Sequence, residues 1–483
     1  MSESLTNKTL KGVGWNSIDR IANYGISFIV SIILARLLTP EDYGLIGIIT
    51  IFISIFNTIL DGGLSTALIR KKDVSDADYN TVFYSNIALS LFLTAVLFLS
   101  APLISDFFDR PELTPLVRAM SGILVINAIS IVQQSILTKR IDFKSQTQIS
   151  IISSVTSGVI GIALAFSGVG VWALVAQQLS LRLLATILLF FYNRWWPRCV
   201  FSWNSFRDLF GFGWKLLTTR VLGSLWGQLY QGIIGKCYSP ATLGLYTRAA
   251  QYGQMFSSGI ADVVLKVSLP VMSSIQDDRE RLIAGTRKII RITCFVTSII
   301  MFGMAASAHS MIYVLIGERW LPCVPFMQIL CMNLLFNPLA YLNENLLTVE
   351  GRSDKLLVLQ FWKMGLSVLP LVLGILGNIY MMLISSAVLA WFGIFLYTYY
   401  TKKYFGYGWQ TQVRDIAPSI GISLFMSIPV LAMNWLPISP FIIFPLQIVL
   451  GAAMVILIGE LRKMEEYMYI KDIVVKGIDK IRK

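Results

Sequence analysis

Three arginines stand inside long apolar segments of the sequence. Arg20, Arg220 and Arg248 each lie on a stripe of polar residues that are spaced by three or four positions, and side chains with that spacing share one face of a helix. Ionisable residues in lipid face a protein interior or a water-filled cavity, and a planar guanidinium can bind a phosphate through two parallel hydrogen bonds. The pattern therefore predicts a cationic cavity that binds an anion such as a phosphate or pyrophosphate.

Further polar residues on the first, second, seventh, eighth and tenth apolar segments are expected to line this cavity. They are Asn23 on the first apolar segment, Asn57 and Asp61 on the second, Lys215 and Gln228 on the seventh, Gln251 on the eighth, and Asn337 and Glu344 on the tenth. Burying such groups without partners is costly, so a shared interior is the expected solution. The alternative left open is that some of these charges pair internally, for example with Asp19, rather than with a ligand.

Composition defines the class of protein. Of the 483 residues, 55% are hydrophobic and 14% are charged, against roughly one quarter charged in soluble domains. The sequence therefore predicts a polytopic membrane protein. The net charge of +13 does not indicate nucleic-acid binding, because the basic residues are spread over loops between apolar segments rather than gathered in one patch.

No pattern of residues indicates catalysis, a metal or a cofactor. The five cysteines lack metal-ligand spacing, and the only histidine, His309, has no cysteine or carboxylate pattern around it. There is no nucleotide-binding loop and no Ser-His-Asp arrangement. We therefore expect a protein that is not an enzyme and that holds no metal or cofactor, with coupling to an ion or a proton left open.

The apolar segments predict an all-α fold, because a helix needs about 20 mainly apolar residues to cross a bilayer. Tight turns are expected at 168–170 and 377–378, and Asn337-Pro338 and Pro370 are expected to interrupt the tenth and eleventh spans. The fourteen predicted spans have the approximate limits 14–36, 43–66, 81–104, 115–137, 147–167, 170–193, 212–236, 242–265, 292–316, 323–349, 357–377, 379–400, 415–436 and 440–461.

Lysine and arginine fall mainly into alternate loops. The loops on one side, together with both termini, carry most of them, whereas the opposite side has only Arg36, Arg110, Lys236 and Arg319. By the positive-inside rule, both termini are predicted to lie in the cytoplasm. Beyond the last span, apolar residues recur at helical spacing between lysines, which predicts a basic amphipathic helix on the inner leaflet.

Two landmarks recur about 200 residues apart in the same order. The first copy has Gly-Val-Gly-Trp at 12–15 and Leu-Thr-Pro-Glu-Asp-Tyr-Gly-Leu at 38–45; the second has Gly-Phe-Gly-Trp at 211–214 and Tyr-Ser-Pro-Ala-Thr-Leu-Gly-Leu at 238–245. A match at both ends of one span predicts an internal duplication that places Arg20 opposite Arg220. The expected regions are an N-terminal lobe with spans 1–6 (residues 1–204), a C-terminal lobe with spans 7–12 (205–404), and spans 13–14 with a basic amphipathic tail (405–483).

Four stretches together resemble Wzx-type polysaccharide flippases, in the branch of the colanic-acid and teichuronic-acid exporters. They are the Gly-x-Gly-Trp opening, residues 38–45, Gly-Val-Gly-Val-Trp-Ala-Leu at 168–174, and Gly-Glu-Arg-Trp-Leu-Pro at 317–322. The resemblance extends over essentially the whole chain. This family shares a superfamily with multidrug and toxin extruders and with lipid-II flippases.

The resemblance implies two pseudo-symmetric six-helix lobes and two C-terminal helices, arranged as a V around a central cavity that opens alternately to each side. The implied cargo is an undecaprenyl-pyrophosphate-linked oligosaccharide unit, moved from the cytoplasmic to the outer leaflet of the bacterial inner membrane for surface polysaccharide biosynthesis. In the related lipid-II flippases, arginines on the first, second and eighth helices line the cavity. Arg20 and Arg248 match the first and the eighth, whereas the second helix carries Asp61 instead. Polymerase and glycosyltransferase machinery are candidate partners.

Two other functions stay open on the sequence alone. A cation-coupled extruder of small amphipathic compounds, from the same superfamily, would need carboxylates deep in a lobe, and the excess of arginine argues against a cationic cargo. A polysaccharide polymerase or ligase would be expected to carry a large external loop with catalytic residues, whereas the predicted outer loops are short. Drug resistance on overexpression tests the first alternative, and incubation with a labelled lipid-linked sugar tests the second.

Overall fold

A computed structural model describes residues 2–71, 73–275 and 278–482, and the regular structure in these ranges is helical. Two short 3₁₀ helices, Glu318–Cys323 and Met433–Trp435, accompany the α-helices. The α-helices are α1 (Ser2–Leu37), α2 (Pro40–Asp61), α3 (Leu64–Arg70), α4 (Asp76–Phe108), α5 (Leu113–Lys139), α6 (Phe143–Phe166), α7 (Trp172–Asn193), α8 (Trp203–Cys237), α9 (Pro240–Ser274), α10 (Arg279–Ile316), α11 (Val324–Leu334), α12 (Asn337–Val349), α13 (Ser353–Leu376), α14 (Ile379–Phe405), α15 (Trp409–Ala432), α16 (Pro440–Arg462) and α17 (Glu465–Arg482).

Eleven helical segments within the described residues are long and apolar enough to cross a membrane. They correspond to α2 with α3, α4 to α7, α10, α11 with α12, and α13 to α16. The predicted first, seventh and eighth spans fall in α1, α8 and α9, and each of these helices includes side chains that the structure does not describe. The all-helical membrane architecture is therefore confirmed, and the count of fourteen spans stays a prediction.

Both of the predicted tight turns are confirmed. Helix α6 ends at Phe166 and α7 begins at Trp172, and between them Gly168 and Gly170 adopt φ values of 76° and 59°, which glycine reaches without a steric penalty. At the second turn, α13 ends before Gly377. Asn378 then caps α14, because its side-chain oxygen accepts a hydrogen bond from the Met381 amide at 2.9 Å.

The two predicted interruptions by proline have different outcomes. The tenth span breaks between α11 and α12, immediately before Asn337-Pro338, and Pro338 stands in the first turn of α12, where its missing N–H is not needed. The prediction for Pro370 was wrong, because α13 continues through it from Ser353 to Leu376. A proline removes one helical hydrogen bond, and a membrane helix tolerates that loss without ending.

The first of two packing units comprises Met1–Gly244. In it, α1 packs on α6, α4 packs on α5, α6 and α5 both contact α7, and α8 runs along α2 with further contacts to α3 and α4. The helix that was predicted to open the C-terminal lobe thus packs within this first unit. A sequence repeat and a packing unit are separate properties, so the lobe boundary at residues 204 and 205 stays a prediction.

The second packing unit comprises Leu245–Lys483. Helix α10 is its centre, since α10 contacts α11, α12, α15 and α16, whereas α14 contacts α11, α12 and α13. The buried residues Ala306, Met426 and Val430 form part of the apolar core between α10 and α15. Large apolar side chains elsewhere on α13, α14 and α16 are exposed, as expected of helices that face lipid.

Ion pairs bind the C-terminal helix α17 and the start of α15 to α10. Arg287 donates two hydrogen bonds to Asp415, at 2.8 and 2.7 Å, and Arg291 contacts Glu466 at 2.5 Å and Glu465 at 2.9 Å. Burial raises the pKa of the Tyr407 phenol, so its hydroxyl stays protonated and donates to Asp415 at 2.8 Å. These contacts fix the start of α15 and the start of α17 against one central helix.

The recurring motif at 38–45 begins a helix in both of its copies. In the first copy, Thr39 caps α2: its hydroxyl accepts a hydrogen bond from the Asp42 amide at 3.2 Å, and its own amide donates to the Asp42 carboxylate at 2.8 Å. In the second copy, the Ser239 hydroxyl accepts from the Thr242 amide at 3.1 Å. Each cap is followed by a proline, whose fixed φ angle is already that of a helix and whose missing N–H is not needed at the first helical position.

The glycines of the two copies explain why this motif recurs. A Cβ atom at Gly44 would overlap the carbonyl oxygen of Pro240, and a Cβ atom at Gly244 would overlap the carbonyl oxygen of Pro40. The start of α2 and the start of α9 therefore lie backbone against backbone in a reciprocal arrangement. Only glycine leaves room for that approach.

Candidate functional site

Arg220 lies opposite Asp61, and a second close approach of backbones puts it there. A Cβ atom at Gly63 would collide with the backbone of Gly213, so the junction of α2 and α3 presses against the first half of α8. About two helical turns beyond Gly213, Arg220 Nη1 lies 2.5 Å from Asp61 Oδ2, and its Nη2 donates to the Thr66 hydroxyl at 3.3 Å. Both charged side chains are partly exposed, at 45% for Arg220 and 36% for Asp61.

Arg20 and Asn23 lie on the face of α1 that meets α6. The Asn23 amide donates to the Asp19 carboxylate at 2.8 Å, and the Ser154 hydroxyl on α6 donates to the Asn23 carbonyl oxygen at 2.9 Å. Arg20 is half-buried on the same face of α1. The polar side chains of Asp19, Asn23 and Ser154 thus form one hydrogen-bonded chain between α1 and α6.

Two further predicted residues of the first unit have contrasting surroundings. Asn57 on α2 accepts a hydrogen bond from the Asn127 amide on α5 at 2.8 Å, so it joins two helices. The side-chain oxygen of Gln228 on α8 is enclosed and has no hydrogen-bond partner in the described part of the chain. A buried amide oxygen without a partner is unfavourable unless water or a ligand completes it.

Arg248 on α9 is buried in the second unit, with 6% of its surface exposed. Its Nη1 donates to the Gln251 side-chain oxygen at 2.7 Å. The structure thus brings together two residues that the sequence placed one turn apart on the same stripe. The side-chain oxygen of Gln251 thus helps to orient the Arg248 guanidinium.

Glu344 on α12 is paired with a residue that sequence reasoning missed. Lys363 on α13 lies 3.4 Å from its carboxylate and 5.2 Å from the centre of the Tyr397 ring. The signal for Lys363 was present, because it is the one charged residue in the middle of the predicted eleventh span. Asn337 is half-buried at the first position of α12, and the side chain of Lys215 lies outside the described residues.

The pairs described above have a common chemical character: in each, a polar side chain meets a polar group on the same or a neighbouring helix, whereas the Gln228 oxygen has no such partner within the described residues. No cluster of three or more histidine, cysteine, aspartate or glutamate residues that could hold a metal occurs in the part of the chain that the structure describes. A shared binding cavity for all predicted residues stays a prediction.

Long apolar helices with ion pairs among them define a multi-pass membrane protein, and comparison with solved structures identifies the fold. The chain matches the structure titled "Lipid II flippase MurJ, inward closed conformation" with a TM-score of 0.71 and 14% identity, over 97% of this chain and 99% of that one. It therefore has the fold of that flippase. A model of the polysaccharide biosynthesis protein family matches residues 33–325, and the chain belongs to this family.

Curated relatives agree with the family assignment. The chain is 26% identical over 334 residues to the succinoglycan biosynthesis transport protein ExoT of Rhizobium meliloti (strain 1021), covering 69% of this chain and 68% of that protein. It is 27% identical over 369 residues to the teichuronic acid biosynthesis protein TuaB of Bacillus subtilis (strain 168), covering 76% of each. The resemblance to polysaccharide flippases is thus confirmed for family and fold.

Proposed function

We propose that this protein is a flippase that moves an undecaprenyl-pyrophosphate-linked oligosaccharide unit from the cytoplasmic to the outer leaflet of the bacterial inner membrane. One observation carries the proposal: a chain of a polysaccharide biosynthesis family has, over nearly its whole length, the fold of a lipid flippase. The relatives named for succinoglycan transport and teichuronic acid biosynthesis support a polysaccharide-related cargo and a protein that is not an enzyme.

Physical chemistry requires separate routes for the two parts of such a cargo. Burying sugar hydroxyls in hydrocarbon without partners costs several kcal/mol each. The oligosaccharide therefore crosses through a hydrated cavity, while the polyprenyl chain stays in the lipid. Alternating access, in which the cavity opens first to one side and then to the other, moves the headgroup without a continuous pore.

Arg20, Arg220 and Arg248 hold the pyrophosphate in this mechanism. The Arg220–Asp61 pair supports a particular way of doing so, because both side chains are partly exposed and can be reached by a competing anion. The cargo phosphate displaces Asp61 from Arg220 on binding, and Asp61 returns on release. Because of this exchange, Arg220 always has an anionic partner, which is Asp61 when no cargo is bound.

The remaining predicted residues contact the headgroup and the sugars. Gln251 orients Arg248, and the enclosed oxygen of Gln228 supports a site that a hydroxyl or a water completes. Lys215 adds positive charge on α8. We assign sugar-facing roles to the other stripe residues, which are Asn23, Asn57, Asn337 and Glu344.

The cation-coupled extruder is the weaker candidate. Such a transporter needs a carboxylate that is free to exchange a proton or a metal ion, whereas Glu344 is paired with Lys363 and Asp61 is paired with Arg220. If overexpression confers resistance to cationic drugs and leaves polysaccharide export unchanged, the extruder is the better assignment.

The test of the binding site is a triple variant, Arg20→Ala, Arg220→Ala and Arg248→Ala, expressed in a strain that lacks the wild-type chain. We expect export to stop and the lipid-linked unit to accumulate on the cytoplasmic side. Arg118→Ala is the matched control, because that span arginine stacks on the Phe98 ring at 4.9 Å and lies on no predicted stripe. Full export by the triple variant would contradict the site assignment.

The proposed topology places both termini in the cytoplasm and can be tested with cysteines that the chain already has. Cys199 and Cys237 are exposed, whereas Cys294, Cys323 and Cys331 are buried. The topology puts Cys199 in the cytoplasm and Cys237 outside. A membrane-impermeant maleimide added to whole cells should label the Cys199→Ser variant and not the Cys237→Ser variant, and the opposite pattern contradicts the orientation.

A further inference from the structure

An apolar groove runs along the end of α7 and the segment that follows it. It encloses about 520 Å³ and is named here the α7 groove. Its position is separate from the polar stripes of the proposed transport site, none of which was predicted on α7. The groove is lined by Thr186, Ile187, Phe190, Phe191, Arg194 and Trp196.

The walls of the α7 groove suit a hydrocarbon chain. Phe191 is 73% exposed and Ile187 is 43% exposed on a helix that is long and apolar enough to span a membrane. Phe190 contacts Trp196, which also lines the groove, with the two ring centroids 5.2 Å apart. In a bilayer these side chains face acyl chains, and one acyl chain can lie in the groove.

A guanidinium stands at the rim of the groove. Arg194 ends α7 in a left-handed conformation with φ of 53°, and its amide donates to the Phe190 carbonyl at 3.1 Å. Its side chain is exposed and forms no ion pair or hydrogen bond within the described residues. A positive charge next to a hydrocarbon-sized groove matches a lipid whose head carries a phosphate.

The segment beyond Arg194 is held rigidly by side chains of α4 and α5. Gln133 donates to the Trp195 carbonyl at 3.0 Å, the Arg198 amide donates to Asn80 at 2.6 Å, and the Ser202 amide donates to Thr81 at 3.0 Å. Trp195 packs against Tyr79 and Phe83, with ring centroids 6.0 Å apart in each case. The rim of the groove is therefore preorganised, which lowers the entropy cost of binding there.

We propose that the α7 groove is a binding site for a resident anionic phospholipid. The phosphate of its head group pairs with Arg194, Trp196 lies at the level of the ester groups, and one acyl chain lies along Ile187 and Phe191. Tryptophan favours that level of the bilayer. Because Arg194 brings a positive charge to the lining of the groove, a head group with a net negative charge is preferred over a zwitterionic one. The lipid thereby anchors the linker between the two predicted repeats to the leaflet.

The test is native mass spectrometry of the purified full chain with four lipids supplied in turn: phosphatidylglycerol, phosphatidylethanolamine, phosphatidylcholine and undecaprenyl phosphate. We expect phosphatidylglycerol to be retained best, and Arg194→Gln to reduce its retention by about fivefold. Arg194→Lys should keep much of the retention. Arg207→Gln, which removes an equal charge outside the groove, should change it much less, and Phe191→Ala should weaken the retention of every phospholipid.

Equal retention of phosphatidylglycerol by the wild type and by Arg194→Gln overturns the proposal. The proposal is also overturned if Arg194→Gln reduces the retention of undecaprenyl phosphate and of no phospholipid, because the groove would then bind the carrier lipid. The assay measures binding alone, so a protein that fails to flip its cargo can still retain phosphatidylglycerol at Arg194. Failure of the proposed function and failure of this inference are therefore distinguishable.

Discussion

The guanidinium of Arg220 on α8 lies 2.5 Å from the carboxylate of Asp61 on α2, although the two residues are 159 positions apart in the sequence. The predicted duplication assigns them to different repeats. A cation expected to hold an anionic cargo is thus held by an internal anion in this structure. The polar stripe of the second predicted span carries Asp61 where the resemblance to lipid-II flippases implies an arginine, and the Asp61 carboxylate balances the charge of Arg220.

Removing Asp61 should strengthen cargo binding, because the cargo phosphate then meets no competitor for Arg220. For a partly exposed pair we expect Asp61→Asn to tighten the binding of undecaprenyl pyrophosphate by about fivefold, and Arg220→Gln to weaken it by at least as much. Binding of the lipid to the purified variants in detergent measures both effects. If Asp61→Asn weakens binding as Arg220→Gln does, the two residues act only as a structural pair.

The reciprocal glycines should be intolerant of a single methyl group. Gly44→Ala and Gly244→Ala each place a Cβ against a backbone carbonyl, so the helices must separate, at a cost of about 1–3 kcal/mol. The thermal midpoint of each variant in detergent should fall. Gly122→Ala on α5 is the matched control, because nothing lies within 4 Å of its Cβ position, and it should be neutral or slightly stabilising. Equal midpoints for Gly44→Ala and Gly122→Ala would contradict the close backbone contact.

The contact of Arg287 with Asp415 should contribute measurably to the stability of the second unit. Asp415 is largely buried, with 8% of its side chain exposed, whereas Arg287 is 43% exposed. We therefore expect Asp415→Asn to cost about 2 kcal/mol, less than for a fully buried pair. Lys476→Gln, which breaks the exposed pair with Asp472, serves as the control. The thermal midpoint of Asp415→Asn should fall below that of the wild type, and that of Lys476→Gln should not. If the two variants have equal midpoints, the Arg287–Asp415 pair does not contribute to stability as expected.

Much of the fold could be predicted from hydrophobicity and turn residues. The helix limits around 168–170 and 377–378 followed from glycine and asparagine, whose backbone preferences act locally. Pro370 was misjudged because the effect of a proline depends on its helix neighbours, which one sequence does not supply. The repeated glycine motif was recognisable, but the reason for it, the contact between Gly44 and Pro240, appeared only in three dimensions.

The candidate site was predictable in its residue types and not in its partners. Stripe periodicity predicted Arg220, Asp61, Arg248 and Glu344 as polar groups inside the membrane. The contact of Arg220 with Asp61 depends on how α8 packs on α2, and that of Glu344 with Lys363 on how α12 packs on α13. Lys363 was overlooked because it stands alone and forms no stripe. Periodicity within one helix carries no information about the neighbouring helix.

Transfer of a lipid-linked sugar between leaflets is the most direct test of the central claim. The purified chain is reconstituted into liposomes that contain an undecaprenyl-pyrophosphate-linked oligosaccharide with a fluorescent sugar, and an impermeant quencher is added outside. We predict that the quenched fraction exceeds that of protein-free liposomes, that the Arg20, Arg220 and Arg248 triple-alanine variant removes the excess, and that the recovered lipid is chemically unchanged. A quenched fraction equal to that of protein-free liposomes, or a cleaved or lengthened glycan, would contradict the assignment as a flippase.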